Sequence, residues 1–201
     1  MKTISQLIIT MMICLFSIQT WAQSGKLFNT DNQLSSNLAT QVFQDKSGFI
    51  WIATRNGLNT YDGYHITIIK KDMSNFLGLN SNYINSIAQD EKEHILLGTN
   101  NSLLEFTGSE FLKIPMLDSK GKELATYVKQ IYPLRNKDVA VATSGYGIML
   151  KKQDEQKCHA MKGEVEKLKY IHKLLEDKRG RLWIITEDGK LYRKETNGRV
   201  T

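Results

Sequence analysis

Apolar residues come in short runs along this chain, and each run closes on a polar turn containing glycine. Phe49–Ala53 is one such run, with Trp51 at its centre, preceded by Lys46-Ser47-Gly48 and followed by Arg55-Asn56-Gly57. Leu58–Tyr61 comes next and stops at Asp62-Gly63. Glycine behind a polar residue supplies the positive φ that tight hairpins need. A strand that is apolar nearly throughout is buried on both faces. The pattern therefore predicts hairpin-linked strands inside a sheet that has a neighbour on each side.

The pattern returns. Asp45, Gly48, Trp51, Ile52, Thr54 and Gly57 reappear as Asp177, Gly180, Trp183, Ile184, Thr186 and Gly189, a constant offset of 132, or about three units of 44. Asp90 and Ile95–Thr99 stand 45 residues after Asp45 and Ile50–Thr54. Ile131–Thr143 follows Val42–Thr54 at an offset of 89 but has lost the Asp and the Trp. Strand-rich units at this period are the mark of propeller blades, four-stranded sheets repeated about an axis. The predicted fold is all-β, a partial β-propeller of about four antiparallel blades near residues 34–78, 79–125, 126–166 and 167–201.

In each blade the inner strand comes first, as in Leu38–Gln44, Tyr83–Ala88, Val128–Pro133 and Tyr170–Glu176. Outer strands fall at His65–Lys70, Glu110–Ile114, near Cys158–Met161 and at Arg199–Thr201, and Pro115–Leu124 reads as an inserted loop. Glu164–Glu176 is rich in Lys, Glu and Leu, which favour helix. The repeat register assigns Tyr170–Glu176 to a strand and leaves only a helical turn around Val165–Lys169. Trp51 and Trp183 are expected as wedges between adjacent sheets, each burying on the order of 200 Å². Asp45 and Asp177 are expected to cap their turns through the following backbone N–H groups.

The string Asn37-x4-Val42-x2-Asp45-x2-Gly48-x2-Trp51-Ile52-x-Thr54-x2-Gly57-Leu58-x2-Tyr61-Asp62-Gly63 resembles the two-component regulator propeller repeat. The likeness is close in the first and fourth copies, moderate in the second and weak in the third. It implies the periplasmic sensor region of a hybrid two-component histidine kinase of the kind found in gut Bacteroidetes. It also implies larger rings, usually two in tandem, followed by a β-sandwich, a membrane helix and kinase and regulator modules. With about four blades, the chain reads as an N-terminal piece forming an open arc, whose bare sheet faces invite self-association, with a closed four-blade ring as the alternative.

The first 22 residues have a separate character: Lys2, an apolar stretch Leu7–Ile18, and small residues at Thr20 and Ala22. This reads as a secretory signal cleaved after Ala22, leaving a periplasmic product. Twelve apolar residues are short for a span of about 20. Cleavage would leave Cys158 as a lone thiol, with no internal disulfide, and we read it as an incidental residue in a polar hairpin. The net charge of +6, or +5 without Lys2, is scattered with acids interleaved, so nucleic acid is a poor partner.

Chemistry is sparse. His65, His94, His159 and His172 show no metal-ligand spacing, and no nucleophile elbow, P-loop or dinucleotide fingerprint occurs. No catalytic residue, metal or cofactor is expected. Second-to-third hairpins and blade connections share one face of such a disc, and their residues differ from copy to copy. Arg55, Asn56, Asn100, Asn101, Tyr146 and Glu187 lie there and are the candidate ligand contacts, since varied loops on a constant scaffold carry recognition. An oligosaccharide is the ligand that the family resemblance implies, with signalling passed to a kinase. A glycan-active enzyme on a propeller scaffold and a protein-interaction platform are the alternatives.

Overall fold

The structure, a computed structural model, describes Gly25, residues 27–71 and residues 78–201. The proposed leader, residues 1–22, lies outside the described residues. Four sheets follow one another along the chain. The first is β1 (Ala39–Gln44), β2 (Ile50–Thr54), β3 (Gly57–Tyr61) and β4 (Ile66–Ile69), antiparallel and in that order. The second repeats it with β5 (Ile84–Gln89), β6 (Ile95–Thr99), β7 (Leu103–Phe106) and β8 (Phe111–Ile114).

The third blade departs from expectation. The insert forms β9 (Met116–Leu117) and β10 (Glu123–Leu124), which extend the sheet of β11 (Val128–Pro133), β12 (Val139–Thr143), β13 (Ile148–Lys151) and β14 (Cys158–Ala160) to six strands. Met116 is buried in the core between the second and third blades, which holds the insert against the sheet edge. Cys158 corrects our reading of it: it is fully buried in β14, and burial pushes its thiol up to about 12. The fourth blade has β15 (Ile171–Glu176), β16 (Leu182–Thr186) and β17 (Leu191–Lys194). Its fourth strand is reduced to a bridge between Lys194 and Val200 and a reciprocal backbone pair between Arg193 and Thr201. The contested segment resolves into a 3-10 turn, Glu164–Lys167, seated by buried Val165 and followed by strand β15.

Packing follows the strand alternation. Trp51, Ala53 and Phe43 face forward onto Ile84, Ile87, Ile95 and Leu97 of the second blade. Leu96 and Leu103 face forward onto Val128, Ile131, Val139 and Val141 of the third. Ala140, Ala142 and Ile148 face forward onto Ile171, Leu174 and Ile184 of the fourth. Positions equivalent to Trp51 thus look to the next blade, and positions equivalent to Ile52 look back. Trp51 is 6% exposed and is the wedge expected. Trp183 is not: it is half-buried, with Leu175, Ile185 and Leu191 exposed on its sheet, because no described residues supply a following blade. The three core clusters join successive blades and none joins the fourth to the first, so the described residues form an arc. Behind the first sheet, Ser35 N–H donates to Asn59 Oδ1 at 2.8 Å and Leu34 is buried, while Val42 stays exposed.

Three polar devices recur. The inner strand of every blade slips register at its start, between Ala39 and Gln41, Ile84 and Ser86, Val128 and Gln130, and Ile171 and Lys173. Such bulges re-aim a side chain. Here Gln41 accepts from Ile87 N–H at 2.9 Å and donates to Ile87 C=O at 2.7 Å, Ser86 Oγ accepts from Ile131 N–H, and Gln130 accepts from Leu174 N–H. Each blade is thereby tied to the backbone of the next. Asp45 caps Phe49 N–H as expected and also accepts the Trp51 Nε1–H at 2.7 Å; Asp177 does the same for Arg181 N–H and Trp183 Nε1–H. Finally, buried Thr54, Thr99, Thr143 and Thr186 each donate from Oγ1 to a carbonyl across their hairpin.

A candidate ligand-binding face

Those threonine bonds set the hairpins that carry the candidate residues. Further backbone bonds then gather the hairpins on one face with the blade entry segments. Gly57 N–H donates to Asn82 C=O at 2.7 Å, Thr126 N–H to Asn101 C=O, and Gly145 and Gly147 N–H to Lys169 C=O. Gly147 has φ +77, and a Cβ there would lie 2.5 Å from Leu168 O, so only glycine allows this approach.

An aromatic row marks the face. Tyr83, Tyr127 and Tyr170 occupy the same place in successive copies, just before the inner strand, where the first blade has Leu38. The Tyr83 and Tyr127 rings meet edge to face with centroids 6.0 Å apart. The Arg55 guanidinium lies 5.7 Å from the Tyr83 centroid, and the Lys129 ammonium 4.6 Å from that of Tyr127. Lys129 reaches on to Glu187 at 3.3 Å. The result is a strip from Arg55 on the first blade to Glu187 on the fourth. Tyr127 O–H donates to Asn85 Oδ1 at 2.7 Å, and burial, with Tyr83 beside it, pushes the phenol up to about 12, so it stays a neutral donor.

Glu187 also lines a cleft of about 510 Å³ with Lys167, Leu168, Lys169, Tyr170, Thr186, Asp188 and Tyr192. That size suits a small ligand. Asp188 is paired to Lys190 at 2.7 Å; Lys190 and then the Thr186 hydroxyl hold its carboxyl down at about 2.

Of the residues proposed from sequence, Arg55 and Glu187 join the strip. Asn100 accepts from Ser81 Oγ, Asn101 closes its turn on Thr99, and Asn56 N–H donates to Thr54 Oγ1. Tyr146 is exposed on the same face, at the third hairpin. Sequence reading passed over Tyr83, Tyr127, Lys129 and Tyr170, although the recurrence of tyrosine at intervals of 44 and 43 residues was there to find. The opposite face holds a groove of about 430 Å³ lined by Phe49, Trp51 and Phe106, where the Glu93 carboxylate is taken by Lys46.

A second polar group lies between the second and third blades. Where Leu96 replaces the repeat tryptophan, Asp90 loses an indole partner, and its Oδ2 instead lies 3.6 Å from His94 Nδ1 and 3.8 Å from Lys151 Nζ. His94 Nδ1 is 2.6 Å from Glu105 Oε1, while Glu105 Oε2 is buried without a hydrogen bond. Asp90, His94 and Glu105 offer a nitrogen and two oxygens within 4.8 Å, a donor set that suits a divalent ion. Lys151, itself buried, already sets an ammonium 3.8 Å from Asp90 Oδ2. A divalent ion would set a second cation beside the lysine. Spacing along the chain did not announce this group, because it is assembled from two blades.

Among the described residues, no helix is long and apolar enough to cross a membrane. Residues 33–56, 78–101 and 167–188 match the family model described as two component regulator propeller. No curated protein sequence matches the chain. Among solved structures, the chain resembles an extracellular domain described as that of the hybrid two component system BT4673 from B. thetaiotaomicron, at 17% identity and TM-score 0.68 over 82% of this chain and 25% of that one. The corresponding domain of BT3049 from the same organism gives 16%, 0.54, 88% and 31%. Virginiamycin B lyase from Staphylococcus aureus gives 12%, 0.62, 81% and 54%. The chain spans about a quarter of the length of the first of these structures. At these identities the likeness establishes the propeller fold.

Proposed function

We propose that the chain, whose residues 33–56, 78–101 and 167–188 match the two component regulator propeller model, is the exported, ligand-sensing propeller segment of a hybrid two-component sensor. Its ligand in this reading is an oligosaccharide, and the signal passes to a histidine kinase elsewhere in the intact protein. The observation that carries the reading is the strip Arg55–Tyr83–Tyr127–Lys129–Glu187, which runs across blades and ends in an open cleft. Tyrosine faces stack on the C–H faces of sugar rings, while the guanidinium, amides and hydroxyls around them exchange hydrogen bonds with sugar hydroxyls. Recognition spread over several blades also suits a sensor, since a bound chain would bias how neighbouring sheets sit.

An enzyme on this scaffold is the weaker reading. Glycoside hydrolysis needs one carboxyl with a raised pKa to donate a proton. In the cleft Glu187 is engaged by Lys129, and Asp188 is held ionised far below neutrality. The test is a glycan panel applied to the full chain, followed by titration calorimetry. Binding of an oligosaccharide that weakens at least tenfold in Arg55→Ala and in Tyr170→Ala, with no product released, is the expected result. Turnover of a bound glycan would overturn the sensor reading in favour of an enzyme.

A further inference from the structure

The strip and cleft carry an imbalance of charge, and it points to the class of ligand. Both carboxylates of the cleft are engaged, Glu187 by Lys129 at 3.3 Å and Asp188 by Lys190 at 2.7 Å. Lys167 and Lys169 stand on the same cleft, and among the described residues neither has a carboxylate within ion-pair distance. Arg55, at the other end of the strip, lies over the Tyr83 face and among the described residues has no carboxylate within ion-pair distance. Three uncompensated cations are therefore set along one path, interleaved with Tyr83, Tyr127, Tyr170 and Tyr192.

Their anchoring is firm. The Lys169 carbonyl accepts from both Gly145 and Gly147, and Lys167 sits in a 3-10 turn whose Val165 is buried in the core between the third and fourth blades. The backbone beneath the two ammonium groups is thus fixed while their side chains remain in water. A neutral sugar needs donors and acceptors in balance. A path whose carboxylates are already paired and whose remaining charges are cationic favours a ligand that brings its own anions.

Resting on the carbohydrate reading above, we propose that this face recognises an acidic oligosaccharide, one that carries carboxylate or sulfate groups on its rings. Lys167 and Lys169 would take one acidic group in the cleft and Arg55 another along the strip, with the tyrosines stacking on the rings between. Charge-assisted bonds of this kind are about twice as strong as neutral ones. Being solvent-exposed, they weaken as salt screens them.

The experiment is titration calorimetry of the full chain with three tetrasaccharide probes: an oligogalacturonate, a sulfated chondroitin fragment and neutral cellotetraose. At least one acidic probe is expected to bind ten times more tightly than the neutral one, and to lose that margin in 0.5 M NaCl. Which acidic probe wins separates carboxylate from sulfate recognition. The double variant Lys167→Ala/Lys169→Ala should lose at least tenfold for the acidic probe. Lys178→Ala/Arg179→Ala, in the hairpin turn on the opposite face, should lose less than twofold. Equal or tighter binding of cellotetraose would overturn the acidic preference and leave the carbohydrate reading standing. An equal loss in the two double variants would reduce the effect to the protein's overall charge and overturn the site. Binding of none of the probes, together with silence across the broader panel, would overturn the carbohydrate reading itself.

Discussion

Lys151→Met is the most exacting test of how the second and third blades are joined. Lys151 is 2% exposed, and its Nζ lies 3.8 Å from Asp90 Oδ2, itself on a buried side chain. Methionine keeps most of the aliphatic stem and its contacts, so the change isolates the ammonium. Without it, the buried carboxylates of Asp90 and Glu105 keep, among the described residues, only His94 within ion-pair distance. Removing one partner of a buried pair costs about 3–5 kcal/mol, because an uncompensated charge is left behind. A domain of ordinary stability has about 5–15 kcal/mol in total. Urea unfolding at pH 7 should therefore show a midpoint lowered by about a fifth or more. The double variant Lys151→Met/Asp90→Asn should recover much of the loss, since the orphaned charge is gone, with a coupling of about 1–3 kcal/mol. A single variant that unfolds at the wild-type midpoint would show that the charges are hydrated, and the reading of Lys151–Asp90 as a buried pair would fall.

Gln41→Ala removes both side-chain bonds to the Ile87 peptide and should cost about 1–3 kcal/mol, whereas Lys173→Ala, at the matching place in the fourth blade, should change the urea midpoint little. Cys158 should be inert to a thiol reagent in the native protein and react fully in denaturant, because its burial keeps the thiolate from forming near neutral pH. Asp177 is held well below its usual 3.8 by the Trp183 indole N–H first, which outweighs desolvation, and the Arg181 and Arg179 donors lower it further. A carboxyl depressed on folding stabilises above its unfolded pKa and loses that contribution as pH falls through the folded one. Asp177→Asn should therefore lower the melting temperature at pH 7, and the gap to wild type should close steadily below pH 3.8.

The blades were legible because strand, turn and repeat agreed. Thr54 meets the same physical demand as Thr99, Thr143 and Thr186 in their copies, so one pattern located four sheets. Local reading failed where a neighbour decides the outcome. Trp183 has the same sequence surroundings as Trp51 yet stays half-buried, since a wedge needs a second sheet. The insert around Met116 joins a sheet edge that local sequence cannot show to be vacant. Hairpin variability pointed to the candidate face and to two residues of its strip, Arg55 and Glu187. The tyrosine row was missed because attention went to what varies between copies, and these side chains are part of what recurs. Lys129 and the Asp90–His94–Glu105–Lys151 group needed distances between blades.

The one-way ties from each inner strand to the following backbone have a consequence for how this molecule comes apart. With only nearest-neighbour couplings, cooperativity travels along the row rather than through a common centre. Amide protons in β5 and β11, clamped from both directions, should exchange with deuterium most slowly. Those in β15–β17, gripped from one direction, should open in smaller local events well before the whole arc melts.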